Sequence, residues 1–480
     1  MAIVRASGSL SVLAKVGASA STRTDSTESA PPMNRPSTEP SPSIALPWGE
    51  GPPLPLEIPR TWDLADVSWP DLSGALDDYP TALSRALDEP EGGQGIASAA
   101  GSTVAIVVDD PSRWTPIREA LPIVLGRLRD AGIRPGDISI SVGVGRHHAV
   151  DAASMRQRVG DGVVDAHRCF SPPVDELSEY DDLGTTDEGI PVRVFRTVAR
   201  AGLRILIGSV LPHLQAGFGG GYKLIFPGTS HRSTLGAIHR MGLGGDAAGK
   251  LLGSDASENP MRRAIRSAAA RLGPCVSISH LMGPPGTVLH VASGHPDPVQ
   301  DRLAFEARRR FRAGEVDPRL VDVVVAGNSP WPGDPMMSFK VLLQHRAASR
   351  PGGVLIGFFR TDPAEIDRSF PMPAMRGIAA SGAAGGWVIR RGLAAADRVM
   401  SALHAPSEFM IRWARELVVD RTVLVYAPPL FDRIGPRLGP IRLFADQARL
   451  WEAAREALPG IDRPRCRVFP QGGLTYCPEW

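Results

Sequence analysis

Lysine is scarce in this chain: four residues (Lys15, Lys223, Lys250 and Lys340) against 49 arginines, the 53 basic residues less those four. A chain that meets its need for surface charge with arginine keeps a lysine where an amine is wanted. An ε-amine can lose its proton and attack a carbon centre, and a guanidinium cannot. Lys223 follows a glycine run, Gly217 and Gly219 to Gly221, inside residues 212–228, PHLQAGFGGGYKLIFPG. Such a run lets backbone N–H groups approach an anion. The chemistry indicated is a nucleophilic or cofactor-bearing amine beside an anion-binding loop, with Gly219, Gly220 and Gly221 as cofactor-contacting positions.

Six of the eleven histidines fall between residues 147 and 239: His147, His148, His167, His213, His231 and His239. His147 and His213 each come just after an apolar run read as a strand, where the active-site loops of open α/β sheets gather. A single histidine is more often a hydrogen-bonded surface or core residue; the shared placement near Lys223 favours acid/base work. Residues 109–116, DDPSRWTP, form a second constellation. It reads either as a helix-capping turn through Asp110 or Ser112, or as a clamp in which Arg113 grips a carboxylate or phosphate. The glycine loop is not a Walker A motif, because Lys223 follows Tyr222 and precedes Leu224, and no glycine at 222 completes a dinucleotide fingerprint. A pyridoxal phosphate lysine fits the chemistry. A metal on imidazole does too, although no HExxH-type spacing supports it.

These residues need a scaffold. At 480 residues the chain has length for two or three domains, and 43% apolar with 22% charged residues is ordinary for a globular protein. A net charge of +2 offers no attraction to nucleic acid or a membrane surface, so neither is an expected partner. Cys169, Cys275, Cys466 and Cys477 form no CxxC pair; no disulfide framework, zinc ribbon or iron–sulfur site is expected, and the cytoplasm is the expected location. No apolar run of about 18 residues predicts a membrane span. Residues 1–43 are rich in Ser, Thr, Ala and Pro and bury too little to order themselves. They read as a disordered extension or as sequence ahead of a true start at Met33, and only weakly as a targeting peptide.

Beyond residue 44 the pattern is α/β. Residues 103–109 (TVAIVVD) read as a buried parallel strand, 116–131 as a helix and 138–144 as the next strand, a strand–helix–strand order at short spacing. Residues 203–210 form a strand leading into the glycine loop; 233–241 is a helix, 259–272 a longer one rich in Ala and Arg, and 301–312 another long helix. A second unit has strands at 321–326, 354–359 and 422–426, a helix at 336–348 and a late helix at 444–458. The expected architecture is two α/β lobes with an active-site cleft between them. The divisions are 44–315 (catalytic and cofactor domain) and 316–445 (C-terminal domain), with 446–480 packing back on the first.

With these pieces together the chain resembles the nickel-pincer lactate racemase family, from about Leu46 into the 440s. The strongest element is PHLQAGFGGGYKLIFPG, similar to the family's Pro-His-x-x-x-Gly-Phe-(Ser/Gly)-Gly-x-x-Lys-x-x-x-Pro-Gly. The DDPSRWTP turn, Gly145-Arg146-His147, His239 sixteen residues after Lys223, and Lys340 agree in order. The resemblance implies a cofactor, a pyridinium mononucleotide whose two sulfur arms grip nickel. Lys223 would be attached to it or touch it, Asp110 would lie beside it, and His239 would ligate the nickel. His147 and His213 would be the acid/base pair, and Arg113 and Lys340 would hold the substrate carboxylate. The implied activity is racemisation or epimerisation of a 2-hydroxy acid, lactate or a larger one, by reversible hydride transfer, with cofactor-making enzymes as maturation partners. His148 replaces a more usual arginine, Met337 a glutamine and Phe409 an aromatic that is often tryptophan, which makes the pocket wall more apolar. Two other readings stand beside it: a lysine Schiff-base or metal-dependent lyase on the same scaffold, and a non-catalytic hydroxy-acid or nucleotide sensor.

Overall fold

The structure, a computed structural model, describes residues 44–99, 101–145, 149–243, 251–313, 320–331, 333–370, 372–403 and 408–478. The expected extension, 1–43, lies outside the described residues. After a short antiparallel pair, Ile44–Leu46 with Leu54–Leu56, strand β1 (Asp63–Val67) waits for partners far along the chain. The first α/β stretch then runs β2 (Val104–Asp109), α1 (Ile117–Asp130), β3 (Ile138–Gly143) and β4 (Arg168–Phe170). It continues with β5 (Leu203–Val210), the two-residue strands β6 (Pro212–His213) and β7 (Gly217–Phe218), and helices α2 (Arg232–Met241) and α3 (Pro260–Ala269). β8 (Cys275–Met282), β9 (Val288–Gly294) and α4 (Pro296–Phe311) close it.

Six of these strands form one sheet in the order β9-β8-β5-β2-β3-β4, parallel except for β9. β2, β5 and β8 are buried at every position. Both faces of a central parallel strand are covered, so apolar residues dominate these strands and the polar ones among them, such as Arg204, Ser277 and His280, are buried too. α1 lays Leu121, Val124 and Leu128 against the sheet, each fully buried side chain stabilising by about 1.5–3 kcal/mol.

The second stretch supplies β10 (Val321–Gly327), α5 (Pro335–His345), β11 (Ser349–Phe358), α6 (Gly382–Ala402) and α7 (Glu408–Val418). After these come β12 (Thr422–Tyr426), β13 (Arg437–Leu438), β14 (Ile441–Phe444), α8 (Gln447–Glu456) and β15 (Arg465–Phe469). Their sheet has the order β13-β14-β12-β11-β10-β15-β1, parallel except for β13. The last strand, β15, therefore lies between β10 and β1. Residues beyond it reach back to α4 and α5, where Tyr476 N–H donates to Phe311 O and Cys477 N–H to Gln344 O. Residues 43–480 make one compact unit by their contacts.

Three local expectations change. The late helix begins at Gln447, because Phe444 is the last residue of β14. α4 begins at Pro296, capped by His295, five residues earlier than expected. Neither Asp110 nor Ser112 caps α1: its N-cap is Pro116, with no side-chain cap. Among the described residues no helix is long and apolar enough to cross a membrane.

Candidate active site

The carboxyl ends of β2, β3 and β5 are neighbours because the strands are parallel and in register, Val108 beside Val142 and Ile207. The chain leaving each end builds one wall of a cavity of about 1080 Å³. Asp110 and Arg113 come from the loop after β2, His213 from β6, Lys223 from a single 3-10 turn and His239 from α2; Lys340 of α5 faces in from the second stretch. Met337, Phe409 and Trp413 also line it. Six of the expected site residues thus share one cavity. His147 lies outside the described residues, as does His148.

The loop carrying Arg113 is pinned from below. Arg158, beside a buried Asp109, donates to Asp109 Oδ1 and to the carbonyls of Asp109, Arg113 (2.9 Å) and Thr115 (3.2 Å). Asp109 also accepts from Thr115 Oγ1 at 2.6 Å and Ser209 N at 3.1 Å, which ties the loop to β5. Burial pushes the Asp109 carboxyl up, and Arg158 opposes this. The Arg113 guanidinium sits 4.9 Å from the centre of the Trp331 ring. Trp331 meets Trp114 edge-on at 5.3 Å, and Trp114 Nε1 donates to Gly283 O at 2.6 Å. A cation over an indole face is attracted by the ring quadrupole, so Trp331 orients Arg113 without neutralising it.

The glycine run does something other than expected. Gly219, Gly220 and Gly221 are not among the residues lining the cavity. Gly219 N–H donates to Leu211 O at 2.7 Å. A Cβ on Gly220, whose φ is +81°, would come within 2.9 Å of Val210, and one on Gly221 within 3.1 Å of Gln300. The glycines serve close packing against β5 and α4. Their carbonyls are claimed by buried Arg262 of α3, which donates to Ala216 O (3.1 Å), Phe218 O, Gly219 O (2.8 Å) and Gly220 O (3.1 Å). Sequence reasoning missed Arg262, which looks like one more surface cation in an Arg-rich helix. Ile265 and Ala269, three and seven residues further on and so on the same helix face, are both buried, and that pattern was the available signal.

Lys223 and His213 are half-buried and line the cavity. Burial, then the charges of Arg113, Arg262 and Lys340, push the Lys223 ammonium down to about 7, with Asp110 pulling the other way. The ammonium therefore gives up its proton far more readily than an ordinary lysine does. Burial, then Lys223, Lys340, His239 and Arg113, hold the His213 imidazole well below its usual range. His213 Nδ1 accepts two backbone N–H groups, Gln215 N at 3.2 Å and Ala216 N at 3.1 Å. His239 is wired the opposite way: its Nδ1 donates to Leu235 O at 2.8 Å, which leaves the Nε2 electron pair as its Lewis-basic site. Its ring stacks on Phe409, centroids 4.6 Å apart and planes 17° from parallel. Phe409 in turn meets Trp413 at 5.1 Å.

Lys340 completes this row. Its Nζ lies 5.6 Å from the Trp413 ring centre and donates to Met337 Sδ at 2.9 Å. Asp334 caps α5 by accepting from Met336 N at 2.8 Å and Met337 N at 3.2 Å, which fixes the turn from which Met337 and Lys340 project. α7 is tied to the first stretch by Arg412, whose Nη1 donates to Leu243 O at 2.6 Å. The second stretch thus brings a cation and an aromatic row to histidine and lysine groups of the first. Chemically, the cavity offers two oriented cations, a free amine and two histidines in opposite tautomers.

Residues 51–250 match the family described as the lactate racemase N-terminal domain. Over that span the chain is similar to the lactate racemase N-terminal domain. The matched span carries Asp110, Arg113, His147, His213, Lys223 and His239, while Lys340 and Phe409 lie beyond it. A lactate racemase of Thermoanaerobacterium thermosaccharolyticum is 22% identical over 279 residues, 57% of this chain and 64% of that protein. One from Lactiplantibacillus plantarum is 28% identical over 163 residues, 33% of this chain and 37% of the relative. The chain therefore spans less than two thirds of either relative's length in these matches. The solved lactate racemase apoprotein of T. thermosaccharolyticum shares the fold, with a TM-score of 0.70 at 18% identity over 91% of this chain and 99% of that one. A Thermotoga maritima protein structure follows at 0.58 and 13% identity, covering 83% and 98%.

Proposed function

We propose that the chain is an isomerase that racemises or epimerises a 2-hydroxy carboxylic acid with a nickel-pincer nucleotide as cofactor. The observation that carries this reading is the convergence of Arg113, His213, Lys223, His239 and Lys340, from five separate segments, on one cavity. Among the described residues no three His, Cys, Asp or Glu side chains gather to hold a metal by themselves. His239 alone, with Nδ1–H committed to Leu235 O, suits a nickel whose other donors belong to an organic group, since ligating histidines characteristically give their second ring N–H to such an acceptor. Lys223, poised near 7, suits attachment to that group, and Asp110 lies on the same wall. When bound, the group would supply a reversible acceptor for the hydrogen on C2.

The chain's own residues then have separable tasks. Arg113 and Lys340, held by Trp331 and Trp413, grip the carboxylate from two sides, so that the rest of the substrate turns about a fixed end. His213, and His147 by its place in the sequence, address the C2 hydroxyl oxygen. The apolar side of the cavity, including Met337 and Phe409, excludes water and admits a 2-hydroxy acid larger than lactate. In this reading residues 44–315 form the catalytic lobe and 316–445 its cover, and the cofactor-making enzymes are maturation partners.

The test is protein co-expressed with the cofactor-making enzymes, followed by metal analysis, intact mass and racemisation of a set of 2-hydroxy acids. Bound nickel, a sulfur-containing adduct or ligand and loss of optical purity are expected. Absence of both nickel and the sulfur-containing group would remove the proposal. A second reading, a Schiff-base lyase, draws on the same free amine at Lys223. Borohydride would then fix a 2-oxo acid to Lys223 in nickel-free protein.

A further inference from the structure

The cavity is larger than lactate needs, and its two walls differ in chemistry. Its volume of about 1080 Å³ exceeds the roughly 300–1,000 Å³ of ordinary ligand sites. Arg113, His213, Lys223 and His239 give the wall from the first stretch its charge and its donors. The wall from the second stretch is mostly apolar. Its charged lining residues are Lys340, Asp334, which caps α5, and Glu365 and Arg368, which pair with each other at 2.9 Å. Beyond Lys340, the charges of this wall are thus engaged with groups of the protein itself.

Two helices carry that wall away from the charged end. Phe409, Trp413 and Leu417 of α7 all line the cavity and recur every four residues, so they share one helix face. The face starts at the His239 ring, stacked on Phe409, and passes Lys340, whose Nζ lies 5.6 Å from the Trp413 ring centre. At a rise of about 1.5 Å per residue, Leu417 lies about 6 Å beyond Trp413 and about 12 Å beyond Phe409 along the helix. α5 does the same: Leu343, another lining residue, sits about one helical turn past Lys340. Leu393 of α6 and Ile441 of β14 complete the apolar end. Leu417 and Ile441 belong to the buried core, and Leu343 and Leu393 pack against it while staying partly exposed.

We propose that this end of the cavity is a side-chain subsite, and that the preferred substrate is a 2-hydroxy acid whose C2 bears an apolar chain of about five or six carbons. This rests on the reading of the cavity as a 2-hydroxy acid site. With the carboxylate held by Arg113 and Lys340, a chain leaving C2 runs past Trp413 toward Leu417, and about 6 Å of apolar wall accommodates about five extended carbons. Each methylene moved from water onto such a wall tightens binding about fourfold. A second carboxylate or a polyhydroxylated chain would instead lose its hydration there with no group to replace it. Leu343, Leu393, Leu417 and Ile441 all lie beyond residues 51–250, so the selectivity belongs to the part of the chain that the match to the lactate racemase N-terminal domain does not cover.

The test is calorimetric titration of the full chain, cofactor-free and cofactor-loaded, with lactate, 2-hydroxybutanoate, 2-hydroxyhexanoate and 2-hydroxyoctanoate. A stepwise gain is expected, with 2-hydroxyoctanoate about a hundredfold or more tighter than lactate. Flat affinity along the series, or no binding of 2-hydroxyoctanoate to either form, would overturn the subsite. Leu343→Gln and Leu393→Gln each set an amide beside the chain and should cut the ratio of 2-hydroxyoctanoate to lactate affinity about tenfold. A ratio unmoved in both variants would equally overturn it. Because the readout is binding, the two readings fail separately. A stepwise gain in protein that holds no nickel and racemises nothing would sink the racemase and keep the subsite; flat affinities in nickel-bearing, racemising protein would do the reverse.

Discussion

Lys223 carries a linkage that can be measured without knowing any ligand. Burial, then Arg113, Arg262 and Lys340, bring its ammonium from 10.5 to about 7, whereas an unfolded chain holds that proton to about 10.4. Below pH 7 the native state carries the ammonium and bears the full cost of its cationic, enclosed setting. Between pH 7 and about 10 the native state has released a proton that the unfolded state still binds, so the free energy of unfolding rises with pH. The slope is about 1.4 kcal/mol per pH unit for one proton. Integrated from pH 7 to 9, with the amine half-titrated at the start, the gain is about 2 kcal/mol; partial exposure of Lys223 to the cavity reduces it to about 1–2 kcal/mol. Lys223→Met keeps an unbranched chain and removes the titrating group, so its stability should stay flat across the same window apart from changes common to both proteins. Urea unfolding followed by tryptophan fluorescence at pH 7, 8 and 9 gives the difference directly. Parallel pH dependences in the wild type and Lys223→Met would refute the depressed amine and, with it, the nucleophile argument.

Two further predictions follow from the same contacts. Arg262→Met strips the donors from four carbonyls, Ala216, Phe218, Gly219 and Gly220, and should cost about 3–5 kcal/mol in urea unfolding. Because Arg262 also presses on Lys223, the pH midpoint for acylation of Lys223, read by peptide mass, should move upward in that variant. Phe409→Ala removes a ring 4% exposed and stacked on His239; it should cost about 3 kcal/mol and weaken nickel retention in cofactor-loaded protein, whereas Phe409→Trp should preserve both.

The strands were legible where physics gives a strong local signal. Leu203–Val210 and Thr422–Tyr426 match the structure end to end, because apolar and β-branched residues crowd together where a strand is covered on both faces. Phe444 was misassigned to a helix because one apolar residue before Gln447 fits either period. Pairing of Val468 with Val67 across the length of the chain leaves no mark in either segment, since register between distant strands is a tertiary choice. In the site, Lys223, His213 and His239 could be read because chemistry restricts which residue types suffice. Arg262, Trp331 and Trp413 could not be read so directly: they act by holding other residues, and their types are common in structural roles.

The cavity's electrostatics argue for the order in which it is used. Arg113, Lys223 and Lys340 line it together, and each contributes to lowering the His213 pKa. Of the lining acids, Asp334 caps α5 and Glu365 pairs with Arg368 at 2.9 Å, so Asp110 is the acid that pulls back on Lys223. An anion entering the cavity adds the missing negative charge and draws a proton back onto Lys223, because an opposite charge within about 4–6 Å favours the charged form. Lys223 is therefore most nucleophilic before any anion is seated. That suits an amine which attaches or positions a cofactor once and then serves as a cation, rather than one that attacks carbon in every turnover. The same reasoning separates the two functional readings: a Schiff-base enzyme would need Lys223 neutral with a 2-oxo carboxylate already in place, against the pull of the carboxylate it had just bound.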